Sequence, residues 1–221
     1  KITVNGRSLG AGSQTLSLPA KPHTLEVSIA GYEKQIVQIT PRPDQQQDLN
    51  IKLLTLQQAY WSSRPSAIKS TVGSELRLFQ PDQSFTLGAP RRQPGRRANE
   101  VERLVRLERP FYLGSKEISN AQFRLWKEEH SSGAIRGMSL DMRDQPAVKL
   151  SWEDAALFCN WLSKKEGLPS FYQIQDGEVT GFDWQSHGYR LPTEAEWAWA
   201  AKINNQGDTI VFPWENSLYP P

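Results

Sequence analysis

The sequence has few residues that could cross-link a fold or bind a metal. Its 221 residues include 1 cysteine, Cys159, and 3 histidines. One cysteine cannot form an internal disulfide bond, nor can it supply a four-ligand zinc site, whose ligands recur in pairs. The histidines show no metal-ligand spacing and are interpreted as structural or surface residues: His23, His130 and His187.

Long apolar runs and an excess of one charge are also lacking. The longest apolar run is only a few residues, against the roughly 20 that a membrane helix needs, and no signal-peptide pattern is present. The charges are 26 Lys and Arg against 24 Asp and Glu, a net +2, which argues against bulk electrostatic binding of nucleic acid. Aromatic residues are abundant, with 8 Trp, so we expect a folded chain of one large or two small domains.

Residues 1–54 alternate apolar and polar side chains between turn signals, a pattern typical of half-buried strands. Four strands are predicted, at Lys1–Val4, His23–Ile29, Ile36–Ile39 and Leu49–Leu53. Asn5-Gly6 tolerates positive φ and predicts a tight hairpin turn after the first of them. This part of the chain is therefore predicted to be a small all-β sandwich.

The same stretch resembles the PEGA domain, a β-sandwich module of bacterial surface and envelope proteins. The resemblance rests on VNGRSLG at 4–10, on the run from Leu18 to Val27 and on Gly31-Tyr32. The Pro-Glu-Gly-Ala motif of the family is missing, so the chain is expected to begin one strand into the module. The resemblance implies a periplasmic or cell-envelope location in a bacterium, with room for an N-terminal anchor upstream.

Residues 55–80 are interpreted as a connecting segment that starts with a short helical turn. Tyr60 and Trp61 make it too aromatic for a free linker. We therefore expect this segment to pack along one of the domains that it joins.

Residues 81–221 are predicted to form an α+β domain in which three helices start at capping boxes. The boxes are Ser119 to Gln122, Ser151 to Asp154 and Thr193 to Glu196, the last preceded by Pro192. Short strands are expected at Ser84–Leu87, Leu104–Leu107, Phe111–Leu113 and Phe171–Ile174, the last paired with Glu178–Thr180. In the middle helix, residues at 3–4 spacing predict a buried stripe: Trp152, Ala155, Ala156, Cys159 and Leu162.

The run from Gly188 to Trp197 resembles the signature of the formylglycine-generating enzyme family, also called sulfatase-modifying factors. Its signature residues, interpreted as structural, are Arg190, Leu191, Pro192, Thr193, Glu194, Glu196 and Trp197. Further landmarks follow in the family's order: Phe85–Gly88, Asn99-Glu100, Phe111–Leu113 with Glu117–Asn120, Pro146–Val148, Ser151–Leu162 and Phe212–Trp214. The resemblance implies a variant of the C-type lectin-like fold, with the N-terminal part of the family domain represented at 81–221.

The resemblance also implies where the family's chemistry lies. Active members bind copper(I) through two cysteines near the end of the domain, and one thiolate cannot form that pair. The sequence holds only Cys159, on the predicted buried stripe, so we expect no catalytic residue and no cofactor in this chain. Copper or calcium remains an expectation for a complete family domain. Glu215, where the family usually has glycine, is a further departure.

Charged residues near the signature have structural interpretations. Glu194 and Glu196 could act as an acid and a base, but their place in the first helical turn favours capping and compensation of the helix dipole. Arg190 is expected to form an ion pair with one of them or with another acidic group. Arg91, Arg92, Arg96 and Arg97 form a local charge excess, interpreted either as a solvated loop or as a contact for an anionic partner.

Three hypotheses for function follow. The first is a non-catalytic binding or scaffold component of a bacterial envelope assembly, and the second is a piece of an active copper- or iron-dependent oxidase that acts on a sulfatase or a related protein. A carbohydrate-binding module is a third, by analogy with lectins. Half a domain would leave open the face that Trp152, Phe158, Trp161 and Trp197 should cover, so a protein partner or the missing C-terminal half is expected to cover it.

Overall fold

The computed structural model describes residues 1–43, 45–81, 84–202 and 210. The chain divides into two compact units, Lys1–Arg64 and Pro65–Pro221. In the described residues, no helix is both long and apolar enough to cross a membrane.

The first unit is built on one antiparallel sheet. Its strands are β1 (Ile2–Val4), β2 (Arg7–Gly10), β3 (His23–Val27) and β4 (Gln35–Ile39), in the order β2-β1-β3-β4. The predicted hairpin turn is confirmed, since Asn5 and Gly6 have φ of 48° and 82°. Val4 and Leu25 are buried, as the alternating pattern requires.

The prediction of a strand at Leu49–Leu53 is wrong. That stretch contains no strand. The fourth strand of the sheet is β2, which follows the predicted hairpin turn but was not itself placed by the sequence analysis. Ile51 and Leu53 are half-buried and Lys52 is exposed, so the alternation reflects burial without ladder pairing. A backbone hydrogen bond from the Glu33 amide to the Leu54 carbonyl (2.8 Å) holds the end of the stretch.

The predicted helical turn after residue 54 is confirmed as α1 (Leu56–Ser62), which Thr55 caps in a full capping box with Gln58. The rest of the segment 55–80 contains two strands, β5 (Ala67–Lys69) and β6 (Glu75–Phe79). They belong to the second unit, because β6 also pairs with a later strand.

The described residues of the second unit form short sheets and three helices. After β6 come β7 (Ser84–Leu87), β8 (Arg103–Arg106), β9 (Phe111–Gly114), α2 (Asn120–Phe123), β10 (Ala134–Ile135), β11 (Met138–Ser139), α3 (Trp152–Lys165), β12 (Tyr172–Gln175), β13 (Glu178–Phe182) and α4 (Glu194–Lys202). The sheets are β5-β6-β9, β7-β8, β10-β11 and β12-β13. All three predicted helix starts are confirmed, with the cap hydrogen bonds of each box in place.

Three apolar clusters form the core among the residues of this unit that the structure describes. The first joins α2 to α3 through Phe123 and Phe158, the second packs Trp199 of α4 on Phe85 of β7, and the third surrounds Ala156. The predicted burial of Trp152 is wrong, because Trp152 is 48% exposed at the start of α3. The stripe is buried only further along the helix, where Ala156 and Leu162 meet neighbouring elements.

Candidate functional site

The signature segment, residues 188–197, is centred on an ion pair between Arg190 and Glu196. The Arg190 guanidinium donates from Nη1 to Glu196 Oε2 (2.7 Å) and from Nη2 to Oε1 (2.5 Å), a two-point geometry that a carboxylate and a guanidinium match well. Both side chains are largely withdrawn from solvent, with 25% and 11% exposure. The pair fixes the segment before α4 to the first turn of that helix.

Glu196 also closes the cap of α4. Its Oε2 accepts hydrogen bonds from the Thr193 amide (2.8 Å) and the Thr193 hydroxyl (3.1 Å), and its own amide donates to Thr193 Oγ1 (3.2 Å). Burial alone would raise the pKa of Glu196, but the hydrogen bonds from Arg190 and Thr193 outweigh it and lower that pKa. A carboxylate held ionised by this many donors is poorly suited to carrying a proton in catalysis.

Hydrogen bonds also join the same segment to the end of α3. The Tyr189 amide donates to Ser163 Oγ (2.7 Å), and the Tyr189 hydroxyl donates to Glu166 Oε2 (2.8 Å). Gly188 is required by close packing, because a Cβ there would lie 2.0 Å from the Pro169 carbonyl oxygen. These contacts make the start of the signature a packing element.

The remaining signature residues divide between contact and exposure. The Leu191 amide donates to the Tyr172 hydroxyl (3.1 Å), a contact across 19 residues that sequence reasoning missed. Pro192 is exposed, and Glu194 lies in solvent with its carboxylate 3.7 Å from Arg103. Trp197 is 63% exposed, so it takes no part in the core that Trp199 joins.

Cys159, on α3, packs against the cluster around Ala156 and Tyr172. The residue as a whole is half-buried, yet burial of its thiol raises the pKa of Cys159 to about 12, and the nearby positive charge of Arg190 lowers it only in part. A reactive thiolate needs a depressed pKa, so the Cys159 thiol is a poor nucleophile.

The donor set of the described residues does not fit the metals that the resemblance implies. Copper(I) prefers paired soft thiolates, and the protonated Cys159 thiol has no second cysteine to join it. Calcium needs several oxygen ligands, and the described residues contain no group of three His, Cys, Asp or Glu side chains placed to hold an ion.

A buried polar network that the sequence analysis overlooked organises the loop after α2. Asn120 is fully buried, and its Nδ2 donates to the carbonyls of Leu140 and Met142 at 2.9 Å each. Ser132 Oγ donates to Asn120 Oδ1 (2.6 Å) and lies 3.3 Å from His130 Nε2. Because Ser132 is fully buried, the Ser and His neighbours form a structural network and no accessible nucleophile. The only sequence signal was a polar residue directly after a helix cap.

A shallow groove of about 520 Å³ runs beside α2. Its charged lining comprises Glu75, Lys116, Glu117 and Asp144. Mixed signs and open walls give it no convergent set of ligands, so we assign it no chemistry.

Aromatic side chains are exposed on several elements of the second unit. Trp184 is 52% and Phe182 is 49% exposed, and their rings contact each other and the buried Phe171. Arg190 lies over Phe171 and Trp184 at 5.5 and 5.9 Å from the ring centroids. The signature ion pair thus contacts an aromatic cluster that the sequence analysis did not identify.

The four predicted arginines lie in the loop that joins β7 to β8. Arg91, Arg92 and Arg97 are exposed, whereas Arg96 is half-buried and donates from Nε to the Ala89 carbonyl (2.9 Å). The structure thus places all four arginines in one loop. The Phe212–Trp214 landmark and Glu215 lie outside the described residues.

Comparison with known families agrees with this architecture. The model of the sulfatase-modifying factor enzyme 1-like domain matches residues 78–221, and the PEGA domain model matches residues 1–57. The chain therefore belongs to the sulfatase-modifying factor family, with a PEGA domain before the family domain. Both resemblances drawn from the sequence are confirmed.

Individual relatives cover parts of the chain. A chaperone protein LppX from Paenibacillus barcinonensis is 30% identical over 122 residues, 48% of this chain and 41% of the chaperone. A formylglycine-generating enzyme from Bos taurus is 31% identical over 77 residues, 35% of this chain and 13% of the enzyme. The chain thus spans less than half the length of either relative.

A solved structure supports the fold. Treponema denticola variable protein 1 superimposes with a TM-score of 0.56 at 21% identity, covering 70% of this chain and 62% of that protein. At this identity the similarity establishes the fold alone. The expected fold class, α+β with a formylglycine-generating-enzyme-like domain, is confirmed.

Proposed function

We propose that this chain is the non-catalytic binding or scaffold part of a bacterial cell-envelope assembly. The observation that carries the proposal is the ion pair of the signature: Arg190 and Glu196 bind each other, and Glu196 also closes the cap of α4 with Thr193. Groups consumed in this way hold the fold together and are not presented to a substrate.

The thiol chemistry points in the same direction. The raised pKa of Cys159 keeps its thiol protonated, so among the described residues the signature region offers no thiolate nucleophile. The fold of the family is preserved here, while Arg190, Glu196 and Cys159 make structural contacts within it.

The similarity to a protein named as a chaperone supports a role in protein binding. That relative shares 30% identity over 122 residues. Together with the PEGA match at residues 1–57, it also supports a location outside the cytoplasm, in the periplasm or cell envelope.

Exposed tryptophans provide a surface for a protein partner. Trp152 is 48% and Trp197 63% exposed, while Phe158 is buried and Trp161 half-buried. Covering large aromatic side chains contributes roughly 25 cal/mol per Å² of apolar area, so a partner that covers these two rings would gain affinity.

Two measurements on the full natural-length protein test this function. A Cys-x-Pro-x-Arg peptide is incubated with the protein and copper, with the bovine formylglycine-generating enzyme as positive control, and we expect no conversion of the peptide cysteine. A photoreactive residue at position 197 is expected to cross-link an envelope protein in cells, whereas one at exposed Arg143 is not. Copper-dependent conversion, or equal cross-linking at both positions, would overturn the proposal.

An active oxidase is the second candidate, and the match to the bovine enzyme at 31% identity is the observation that favours it. The same peptide assay decides between the two. Metal analysis of the purified full-length protein adds an independent check, since an oxidase of this family is expected to bind copper or iron.

A further inference from the structure

The connection between β7 and β8 extends their pairing into a long arginine-rich hairpin, residues 84–109, called here the arginine hairpin. Beyond the last pair of the ladder, Leu87 with Arg103, the Ala89 amide donates to the Glu100 carbonyl (3.2 Å). Gly88, at φ of 98°, passes so close to Val101 that a Cβ would lie 2.4 Å from its carbonyl oxygen. The tip of the hairpin is therefore the loop 90–99.

Hydrogen bonds hold this tip in place. The amides of Gln93, Arg96 and Glu100 each donate three residues back along the chain, which makes a series of tight turns. The Arg96 side chain is tied to the Ala89 carbonyl, and Lys202 of α4 donates to the Gly88 carbonyl (2.7 Å). The exposed arginines are thus presented from an ordered base.

The arginine hairpin has a local excess of positive charge. It contains 7 Arg and 3 Glu, a net charge of +4, whereas the whole chain has +2. Arg103 approaches Glu194, but no carboxylate of residues 1–43, 45–81, 84–202 or 210 forms an ion pair with the exposed side chains of Arg91, Arg92, Arg97 and Arg106.

The outer edge of β8 adds a second, independent feature. Within the part of the chain that the structure describes, β8 pairs only with β7. Leu104, at its centre, is 79% exposed on the face that it shares with Thr86. An unpaired edge offers backbone donors and acceptors to an added strand, and arginines along it repel a second copy of the same edge.

We propose that an extended acidic segment of a partner protein adds as a strand to the outer edge of β8, with its carboxylates bound by the exposed arginines of the hairpin. The backbone edge supplies a template for a strand, Leu104 supplies an apolar contact, and guanidinium groups pair with carboxylates in charge-assisted hydrogen bonds. This inference rests on the proposed binding function and names the class of partner for it.

Binding of three synthetic octapeptides to the 221-residue chain, measured by fluorescence anisotropy, tests the proposal. One alternates Glu and Val, one alternates Lys and Val, and one alternates Glu and Pro, which keeps the charge but removes every second backbone donor. We expect the Glu/Val peptide to bind at least about tenfold tighter than the other two, and to bind more weakly as the salt concentration rises.

Matched variants locate the site. Arg91→Glu, Arg92→Glu and Arg97→Glu together are expected to weaken binding of the Glu/Val peptide at least about tenfold, because opposite charges become like charges. The control triple Arg7→Glu, Lys52→Glu and Arg143→Glu makes the same change in charge at exposed positions elsewhere and is expected to leave binding within about twofold. Circular dichroism verifies that both variants are folded.

Four outcomes would overturn the inference: equal binding of the Glu/Val and Glu/Pro peptides, no binding of any peptide, equal loss in both triple variants, or tighter binding to phosphatidylglycerol vesicles or a DNA duplex than to the Glu/Val peptide. If the peptides fail while position 197 still cross-links a partner, strand addition is wrong and the binding function stands. If the copper assay shows turnover while the Glu/Val peptide binds as expected, the non-catalytic function is wrong and strand addition at β8 stands.

Discussion

Arg190 and Glu196 meet through two hydrogen bonds, 2.7 and 2.5 Å long, and this pair joins the signature segment to the first turn of α4. Partly buried ion pairs gain little net free energy over apolar residues, but removing one partner leaves the other charge desolvated and unpaired. The pair therefore fixes a particular geometry at the start of α4, and removal of either side chain should lower the free energy of unfolding.

Glu196→Gln is expected to lower the free energy of unfolding by about 3 kcal/mol, because the Arg190 charge loses its counterion and the cap of α4 weakens. Glu194→Gln is the matched control, since Glu194 lies in the same turn with its side chain 77% exposed, and should cost under about 0.5 kcal/mol. Urea unfolding followed by tryptophan fluorescence measures both. Equal losses would show that the buried pair is not special.

The stabilisation from Glu196 should depend on pH in a defined direction. Its pKa is lowered in the folded state, from about 4.3 in an unfolded chain, so its contribution is fully present above that value and is lost as the pH falls through the lower folded pKa. The difference in unfolding free energy between wild type and Glu196→Gln should be constant from about pH 6 to 7 and shrink below about pH 4. A difference that grows on acidification would contradict this assignment.

Local chemistry explains which parts of the structure could be predicted from the sequence. The capping boxes at Ser119, Ser151 and Thr193 involve residues three positions apart, so their hydrogen bonds depend on neighbours in the chain alone. The turn at Asn5-Gly6 is similarly local. The ion pair of Arg190 was foreseeable because its partner lies 6 residues away.

Features that depend on distant neighbours could not be predicted in this way. Alternation at Leu49–Leu53 indicated burial on one side, but whether the backbone finds a ladder partner depends on the rest of the sheet. Periodicity placed Trp152 on the same face as Ala156 without showing that no element covers the end of that face. The bond from Leu191 to the Tyr172 hydroxyl has no signal in the sequence, because either group could have bonded to water.

Asn120 is another polar residue of the second unit whose loss should lower stability. The side-chain amide of Asn120 makes three hydrogen bonds that tie α2 to the loop around residues 132–142. Asn120→Ala would remove all three bonds, at a cost of about 3 kcal/mol or roughly 1 kcal/mol for each. The Met142 carbonyl would keep its bond from the Gln145 amide and Ser132 Oγ would keep its bonds with Val148, so the Leu140 carbonyl would be affected most. Asn99→Ala, at an exposed position, is the control and should change stability by less than about 0.5 kcal/mol.

Limited proteolysis gives that prediction a second readout. Loss of the three bonds should make the loop around residues 132–142 the first site of cleavage in Asn120→Ala, whereas Asn99→Ala should be cleaved like the wild type. Unchanged cleavage in Asn120→Ala would mean that the backbone holds this loop without the amide.

The two tryptophans of α4 should respond in opposite ways to substitution. Trp199 is 6% exposed and packs edge-to-face on Phe85 with 5.3 Å between centroids, so Trp199→Ser should lower the free energy of unfolding by about 4 kcal/mol. Trp197→Ser should be within about 0.5 kcal/mol of the wild type in stability but should reduce partner binding, if the exposed ring is part of a protein contact. Thermal melts and cross-linking separate the two effects, and destabilisation by Trp197→Ser would show that its ring is packed after all.

Cys159 should be nearly inert toward thiol reagents in the folded protein. Its pKa of about 12 lies well above the value of about 8.5 for a free cysteine, so the thiolate fraction near neutral pH should be lower by about three orders of magnitude. Reaction with a disulfide reagent at pH 7.5 should be slow in buffer and fast in 6 to 8 M urea, at roughly the rate of free cysteine, because unfolding restores the ordinary pKa. Glu196→Gln provides a graded test, since weakening the contacts before α4 should speed the reaction in buffer in proportion to its loss of stability. Rapid modification of the folded wild type would contradict both the burial of the thiol and its assignment as a packing residue.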